Sequence, residues 1–398
     1  MRTKQLCNDS WLFHDGEFSD PVPPYQTMKY FQAKCERATY GPAAVDPALA
    51  YETVSSHVWR TVTLPHDYII EQSPQKQFNH SEGYFDYHNA WYRKHLFLSA
   101  EDATRRITLL FEGIATHATV YVNGCLLARN FCGYTSFEVD ITDVARFDAD
   151  NVIAVYVDSS SSFEGWWYQG GGIYRNVWLI KTEKLSVDLW GVQVCPQHLG
   201  NEVWDTDVTV TLRNDDLIDQ AAAVRLEVLD EAGQCVAQSE TSACVPSMAQ
   251  ATVCACLRVT APKRWDILSP ILYTLQTTVL ASGAAVDCVR DTFGFRTIAL
   301  DGQRGFFLNG RSVKLQGVCC HQDYGLTGKV LPDRVAEYRL RLLREMGANA
   351  YRTSHYPQGE ATMDALDRLG FLVMAETRWF ESTDTGMAQL AMLLKRDR

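Results

Sequence analysis

The 398-residue chain holds 46% hydrophobic and 21% charged residues, the proportions of a globular protein whose length supports two or three domains, each with its own core. Its net charge of −11 excludes a broad basic face for nucleic acid, because backbone binding requires clustered Lys and Arg. No apolar run approaches the roughly 18–20 residues that span a bilayer, and the opening Met1–Cys7 lacks the apolar core of a secretion signal. A cytoplasmic protein with neither membrane nor nucleic-acid partners is therefore expected, and a homo-oligomer remains open.

From residue 10 to 182 short strands alternate with turns. Trp91–Leu98, Ile107–Phe111, Ala118–Val122 and Val152–Val157 alternate apolar and polar residues, and Asn123-Gly124 is a two-residue hairpin signal. Helical periodicity is absent. Residues 1–183 are thus expected to form an all-β jelly-roll sandwich. The next block, 184–297, carries strands at Val208–Leu212, Val224–Leu229 and Leu272–Leu280, with a turn at Asp230–Gly233. Its length and strand spacing predict an immunoglobulin-like β-sandwich.

At residue 298 the pattern changes. Val313–Val318 reads as a strand, and Pro332-Asp333 opens a helix with Val335, Tyr338, Leu342 and Met346 on one face and Gly347 as its stop. Ala350–Thr353 is a second strand and Ala361–Leu369 a second helix. Phe371–Ala375 is a third strand, and Met387–Arg398 is helical. Strands alternating with helices imply a parallel sheet with crossover helices. Residues 298–398 would supply about three of the eight units of a TIM barrel, an incomplete one.

Twelve cysteines are scattered along the chain, with one C-x-C at Cys254 and Cys256 and one adjacent pair, Cys319-Cys320. No C-x-x-C occurs, so neither a zinc ribbon nor a redox motif is supported, and reduced, mostly buried thiols are expected. The triple glycine Gly170–Gly172 precedes a strand rather than a helix, which excludes a phosphate loop.

Reactive groups of a β/α barrel gather at the C-terminal ends of its strands. Here those ends carry His321-Gln322-Asp323, then Arg352-Thr-Ser-His355-Tyr-Pro, then Glu376-Thr-Arg378-Trp379. Fixed donors and acceptors beside an aromatic suit the recognition of sugar hydroxyls and sugar faces. Trp166, Trp167 and Tyr168 read either as an aromatic wall or as packing. His66-Asp67 reads as a hydrogen-bonded corner. Glu360, Asp364 and Asp367 read as the solvated face of a helix.

The stretches Gly317-Val-Cys-Cys-His321-Gln-Asp323, Arg352-Thr-Ser-His355-Tyr-Pro357 and Ala375-Glu376 resemble the barrel opening of glycoside hydrolase family 2. Leu64-Pro-His-Asp67, Gly170-Gly-Gly-Ile-Tyr-Arg175, Ser269-Pro-Ile-Leu-Tyr273 and Phe293-Gly-Phe-Arg296 resemble, in order, segments of its upstream sandwiches. The β-galactosidase branch is the most similar. The resemblance implies a retaining β-glycosidase in which His321, His355 and Arg352 contact or support the sugar. It also implies that Asp158, fourteen residues before Gly172, reaches the sugar, unless it merely caps a turn. Glu376 and Trp379 complete the implied substrate-binding set. Family members use two glutamates, the acid/base within a Gly-Asn-Glu motif. That motif is absent here, so no catalytic residue is assigned, and the chain alone is expected to be inactive or a non-catalytic carbohydrate-binding module. No cofactor is expected, and the magnesium ligands of some family β-galactosidases are not matched by Thr377–Asp384.

Overall fold

The computed structural model of the protein describes residues 1–18, 38, 40–54, 58–160, 167–378 and 381–397. The chain packs as two compact units. The first holds Thr3–Lys181 with Gln322–Leu331; the second holds Met1–Arg2, Thr182–His321 and Pro332–Arg398.

The first unit is a two-sheet sandwich of jelly-roll type. Its strands are β1 (Thr3–Leu6), β2 (Trp11–Asp15), β3 (Arg60–Val62), β4 (Ala90–Leu98), β5 (Arg106–Phe111), β6 (His117–Val122), β7 (Cys125–Asn130), β8 (Phe137–Asp140), β9 (Ala149–Asp158) and β10 (Val177–Thr182). One sheet runs β3-β2-β4-β9-β6-β7 and the other β1-β10-β5-β8. Alternation decides which side chains face inward. On β6, Ala118, Val120 and Val122 are buried while their neighbours are half-buried. They join Trp11, Phe13, Tyr92, Phe111 and Val155 in one core. Each Val or Phe side chain among them contributes about 1.5–3 kcal/mol when fully withdrawn from water. Asn123 (φ 51°) and Gly124 (φ 78°) make the β6–β7 turn, whose left-handed geometry at both positions is what an Asn-Gly pair tolerates.

The second unit begins with an immunoglobulin-like sandwich of strands β11 (Leu185–Gly200), β12 (Val203–Asn214), β13 (Gln220–Leu229), β14 (Cys235–Val245), β15 (Ala249–Thr260), β16 (Tyr273–Ala281) and β17 (Ala284–Phe293). Its sheets are β11-β12-β15 and β14-β13-β16-β17, closed over Trp204, Leu212, Val224, Leu275 and Phe295. A small sheet of β18 (Ile298–Asp301), β19 (Gly305–Leu308) and β20 (Arg311–Ser312) follows. Then comes a parallel sheet, β21 (Gly317–Cys319), β22 (Ala350–Arg352) and β23 (Leu372–Met374), with helices α1 (Asp333–Glu345), α2 (Glu360–Leu369) and α3 (Asp384–Arg396). These three β/α units are the opening of a TIM barrel. Among the described residues no helix is long and apolar enough to cross a membrane.

Four expectations are corrected. The strand expected at Val313–Val318 is confined to Gly317–Cys319. Asn349 bonds the backbone just before it, accepting from Gln316 N (2.8 Å) and donating to Lys314 O (3.0 Å). On α1 the buried residues are Ala336 and Leu340, whereas Tyr338, Leu342 and Met346 of the expected face are exposed. Helix α3 starts three residues early, because the Thr383 hydroxyl accepts from Gly386 N and caps it. The thiols are not mostly buried. Of the eleven described cysteines, all free, only Cys7 and Cys132 are buried, while Cys195, Cys235, Cys244, Cys254, Cys256 and Cys319 are exposed.

Candidate functional site

Within the second unit, four of the strand-end residues named from sequence, His321, Arg352, His355 and Glu376, come together. Parallel register sets Cys319, Arg352 and Met374 side by side, so the chain beyond each strand emerges on one edge. Glu376 is the hub. Its two carboxylate oxygens accept separately, one from Arg352 Nε and the other from His355 Nδ1 at 3.1 Å, and its backbone N–H donates to Thr353 Oγ1 at 2.9 Å. The Glu376 side chain is 10% exposed, while those of Arg352 and His355 are 42% and 34% exposed. The carboxylate bond raises the Arg352 guanidinium further above its ordinary value, and the mutual charge attraction adds to that.

A bond from His355 Nδ1–H to Glu376 fixes the ring's orientation and, in the neutral imidazole, makes Nε2 the acceptor. His321 stands edge-on to it, ring centroids 5.9 Å apart at 87°. His321 is braced by the Tyr356 ring at 5.7 Å and through its backbone carbonyl by Arg339 at 3.1 Å. Tyr356 is fully buried and its N–H bonds Thr353 O, which closes the loop after β22. Tyr356 and Thr353 were not singled out in the sequence. Each stands one residue after a binding candidate in the run Arg352-Thr-Ser-His-Tyr, Thr353 after Arg352 and Tyr356 after His355.

The chemistry available here is recognition. Two imidazoles and a guanidinium are held rigidly and can exchange hydrogen bonds with hydroxyl groups. Glu376 already serves two donors, which disfavours it as a nucleophile or a proton shuttle. A retaining glycosidase needs two carboxyls about 5–5.5 Å apart, and this cluster supplies one. Trp379 and Trp166 lie outside the described residues. Among those that are described, no group of three or more His, Cys, Asp or Glu could hold a metal ion.

Asp158 is in the first unit, the last residue of β9, where its Oδ1 accepts from Ser160 N (3.0 Å) and Ser160 Oγ (3.2 Å). His66-Asp67 is the corner expected from sequence. Fully buried Asp67 accepts from Ile69 N and Gly171 N (both 3.0 Å), Lys329 N (2.7 Å) and the Tyr168 hydroxyl (2.7 Å). Burial pushes its carboxyl above the ordinary range even against those four donors. Gly170 and Gly172 permit the approach, since a Cβ on Gly170 would lie 2.6 Å from Asp67 Oδ2 and one on Gly172 2.7 Å from His66 O. Lys329 and Gln322 show how residues 322–331 belong to this unit. Lys329 Nζ donates to the Tyr134 hydroxyl (3.1 Å) over the Tyr134 ring, and Gln322 Oε1 takes both Arg175 Nη2 (2.6 Å) and Nε (3.1 Å). Trp167 donates to that same Tyr134 hydroxyl, so it packs within the unit, as does Tyr168.

Comparison with known proteins agrees with this architecture. Residues 52–165 match the galactose-binding domain-like portion of glycosyl hydrolase family 2, residues 188–296 a second family 2 domain, and residues 298–390 its TIM barrel domain. A β-galactosidase of Bacteroides ovatus is 36% identical over 320 residues, covering 80% of this chain and 38% of that protein. A β-glucuronidase of Formosa agariphila is 26% identical, covering 82% of this chain and 36% of that protein. The crystal structure of a family 2 member from Bacteroides cellulosilyticus superposes with a TM-score of 0.84 at 31% identity, over 99% of this chain and 51% of that one. The chain thus spans about half or less of the relatives it matches. Three consecutive family domains in the family's order, on the fold described above, place this chain in glycoside hydrolase family 2.

Proposed function

We propose that the chain is the N-terminal part of a retaining β-glycosidase of the β-galactosidase kind, and that it contributes sugar-holding residues rather than the reacting carboxylates. The observation that carries this reading is the Glu376 hub, which orients His355 and Arg352 beside His321 at the ends of three parallel strands. Such a cluster offers a sugar ring several fixed partners. In the reaction, one glutamate would protonate the glycosidic oxygen and a second would attack the anomeric carbon; water would then release the covalent glycosyl intermediate. No Gly-Asn-Glu occurs in these 398 residues, so the chain alone is proposed to bind without cleaving, in the cytoplasm.

Two measurements test this. Titration of the chain with methyl β-D-galactopyranoside, followed by ligand-observed NMR, should show saturable binding that Glu376→Gln or His355→Ala weakens about tenfold. Unchanged binding in both variants would remove the hub from the sugar site. Hydrolysis of an aryl β-galactoside by the chain above the buffer rate, lost in Glu376→Gln, would overturn the non-catalytic assignment.

A further inference from the structure

Among the described residues, the sheets of the immunoglobulin-like sandwich end on β11, β15, β14 and β17. Three of these edges carry devices that keep free strands from pairing. β11 contains Pro196 and breaks its register on β12 twice. The register of β14 on β13 and of β17 on β16 each shifts once, and both strands carry acidic residues, Glu240 on one and Asp287 and Asp291 on the other. β15 has none of these devices. It pairs with β12 in unbroken register along all 12 residues, and its other side has no strand partner among the described residues. It holds no Pro or Lys, and Thr241 to Leu257 include no charged residue in a chain that is 21% charged. The one charge on β15, Arg258, is drawn over β12 by both oxygens of Asp205, at 2.7 and 2.8 Å. The strand is also self-complementary about Ala255. Val253 and Leu257 flank it on the buried face, and Cys254 and Cys256 flank it on the exposed one.

We propose that β15 is an interface at which a second copy of this chain adds its own β15, antiparallel, about a two-fold axis through Ala255. An antiparallel two-fold sets each residue opposite the one equally far beyond the axis. Val253 then meets Leu257 of the second copy, Cys254 meets its Cys256, and Ala255 meets itself. Apolar side chains continue the inner layer and neutral thiols face thiols on the outside, so no charge is stranded and no side chain changes face. Backbone groups along the free side of β15 exchange hydrogen bonds with the second strand. A strand of another protein would find the same backbone, but the match on both sides of one residue is what a second copy supplies. Each chain carries a net charge of −11, which opposes association at long range. Salt screens that repulsion and leaves the uncharged edge unaffected, so the pairing strengthens as salt is raised.

Sedimentation velocity on the full 398-residue chain, under reducing conditions, tests this. The parent should associate to a dimer with a dissociation constant of roughly 10–100 μM, tighter at higher salt. Cys254→Lys/Cys256→Lys sets lysine opposite lysine across the axis, and Cys254→Glu/Cys256→Glu sets glutamate opposite glutamate. Each double variant alone should dimerise at least about tenfold more weakly than the parent. Mixed in equal amounts, the two should form a heterodimer, because every lysine then meets a glutamate. Both positions are exposed, so the melting temperature of each variant should stay near the parent's, and recovery on mixing itself requires that both are folded. A parent chain that stays monomeric at 200 μM (roughly twice the weakest expected constant) in both low and high salt overturns the proposal. So does a lysine variant that dimerises as the parent does, since the interface then lies elsewhere, or a mixture that remains monomeric.

Discussion

Asp367 on α2 gives the sharpest quantitative test, because its environment contradicts its sequence position. Burial raises its carboxyl from the ordinary 3.8 to about 6, against the lowering attraction of Arg296; Asp364 raises it further. Arg296 itself is pulled below its usual value by burial and lies over the Trp265 ring at 4.7 Å, and Trp265 Nε1 donates to Asp367 O at 3.0 Å. A carboxyl whose folded pKa exceeds its unfolded one prefers to be protonated in the fold. The chain should therefore gain stability from this group as pH falls from above 6 toward 3.8. At pH 8 the ionised form costs roughly 2–3 kcal/mol, from about two units at 1.36 kcal/mol each. Asp367→Asn, a neutral isostere, should be more stable than the parent by about that amount at pH 8, with the advantage fading toward pH 4. Urea unfolding followed by tryptophan fluorescence from pH 4 to 8 measures it, with Trp265 as a neighbouring reporter. A stability difference that does not vary with pH, or an Asn variant weaker than the parent at pH 8, would refute the reasoning.

Other expectations follow from the same geometry. Gly172→Ala should cost about 3 kcal/mol or prevent folding, because φ is +114° and a Cβ would press on His66 O and the Tyr92 hydroxyl; thermal melting reads this directly. His95 bridges Glu52 and Asp150, and the bond to Glu52 raises its imidazole from 6.5 to about 9. Its contribution should be complete below pH 6.5 and lost as pH rises through about 9, visible as a high imidazole midpoint by NMR that Glu52→Gln lowers. In the native chain a thiol reagent should label the six exposed cysteines rapidly and reach Cys7 and Cys132 only on unfolding, as mass spectrometry of the digested protein would show.

Much of the fold was legible because strand periodicity is local. The buried Ala118, Val120 and Val122 and the turn at Asn123-Gly124 could be read from residues touching one another in sequence. What escaped was set by distant neighbours. Asp367 reads as a solvated helix residue until Trp265 and Arg296 of the sandwich are seen to cover it. Tyr338, Leu342 and Met346 form an apolar stripe at helical spacing, yet Ala336 and Leu340 are the residues buried. At the candidate site, His321, Arg352, His355 and Glu376 were identified correctly as strand-end groups. The division of labour, with Glu376 as hub and Tyr356 as brace, depends on side-chain directions that spacing does not encode.

The Asp67 corner has a consequence for how the molecule is made. One of its four donors, the Lys329 amide, lies 262 residues further along the chain, and the ammonium of that same fully buried lysine rests on Tyr134. A ribosome releasing this chain exposes nearly all of the jelly roll long before it delivers that last piece. Until then Asp67 sits one partner short and the cavity around Tyr134 stays unfilled, so the unit that begins first is completed among the last. Expression of residues 1–182 alone would repeat that waiting state permanently, and contacts of such sequence separation close slowly.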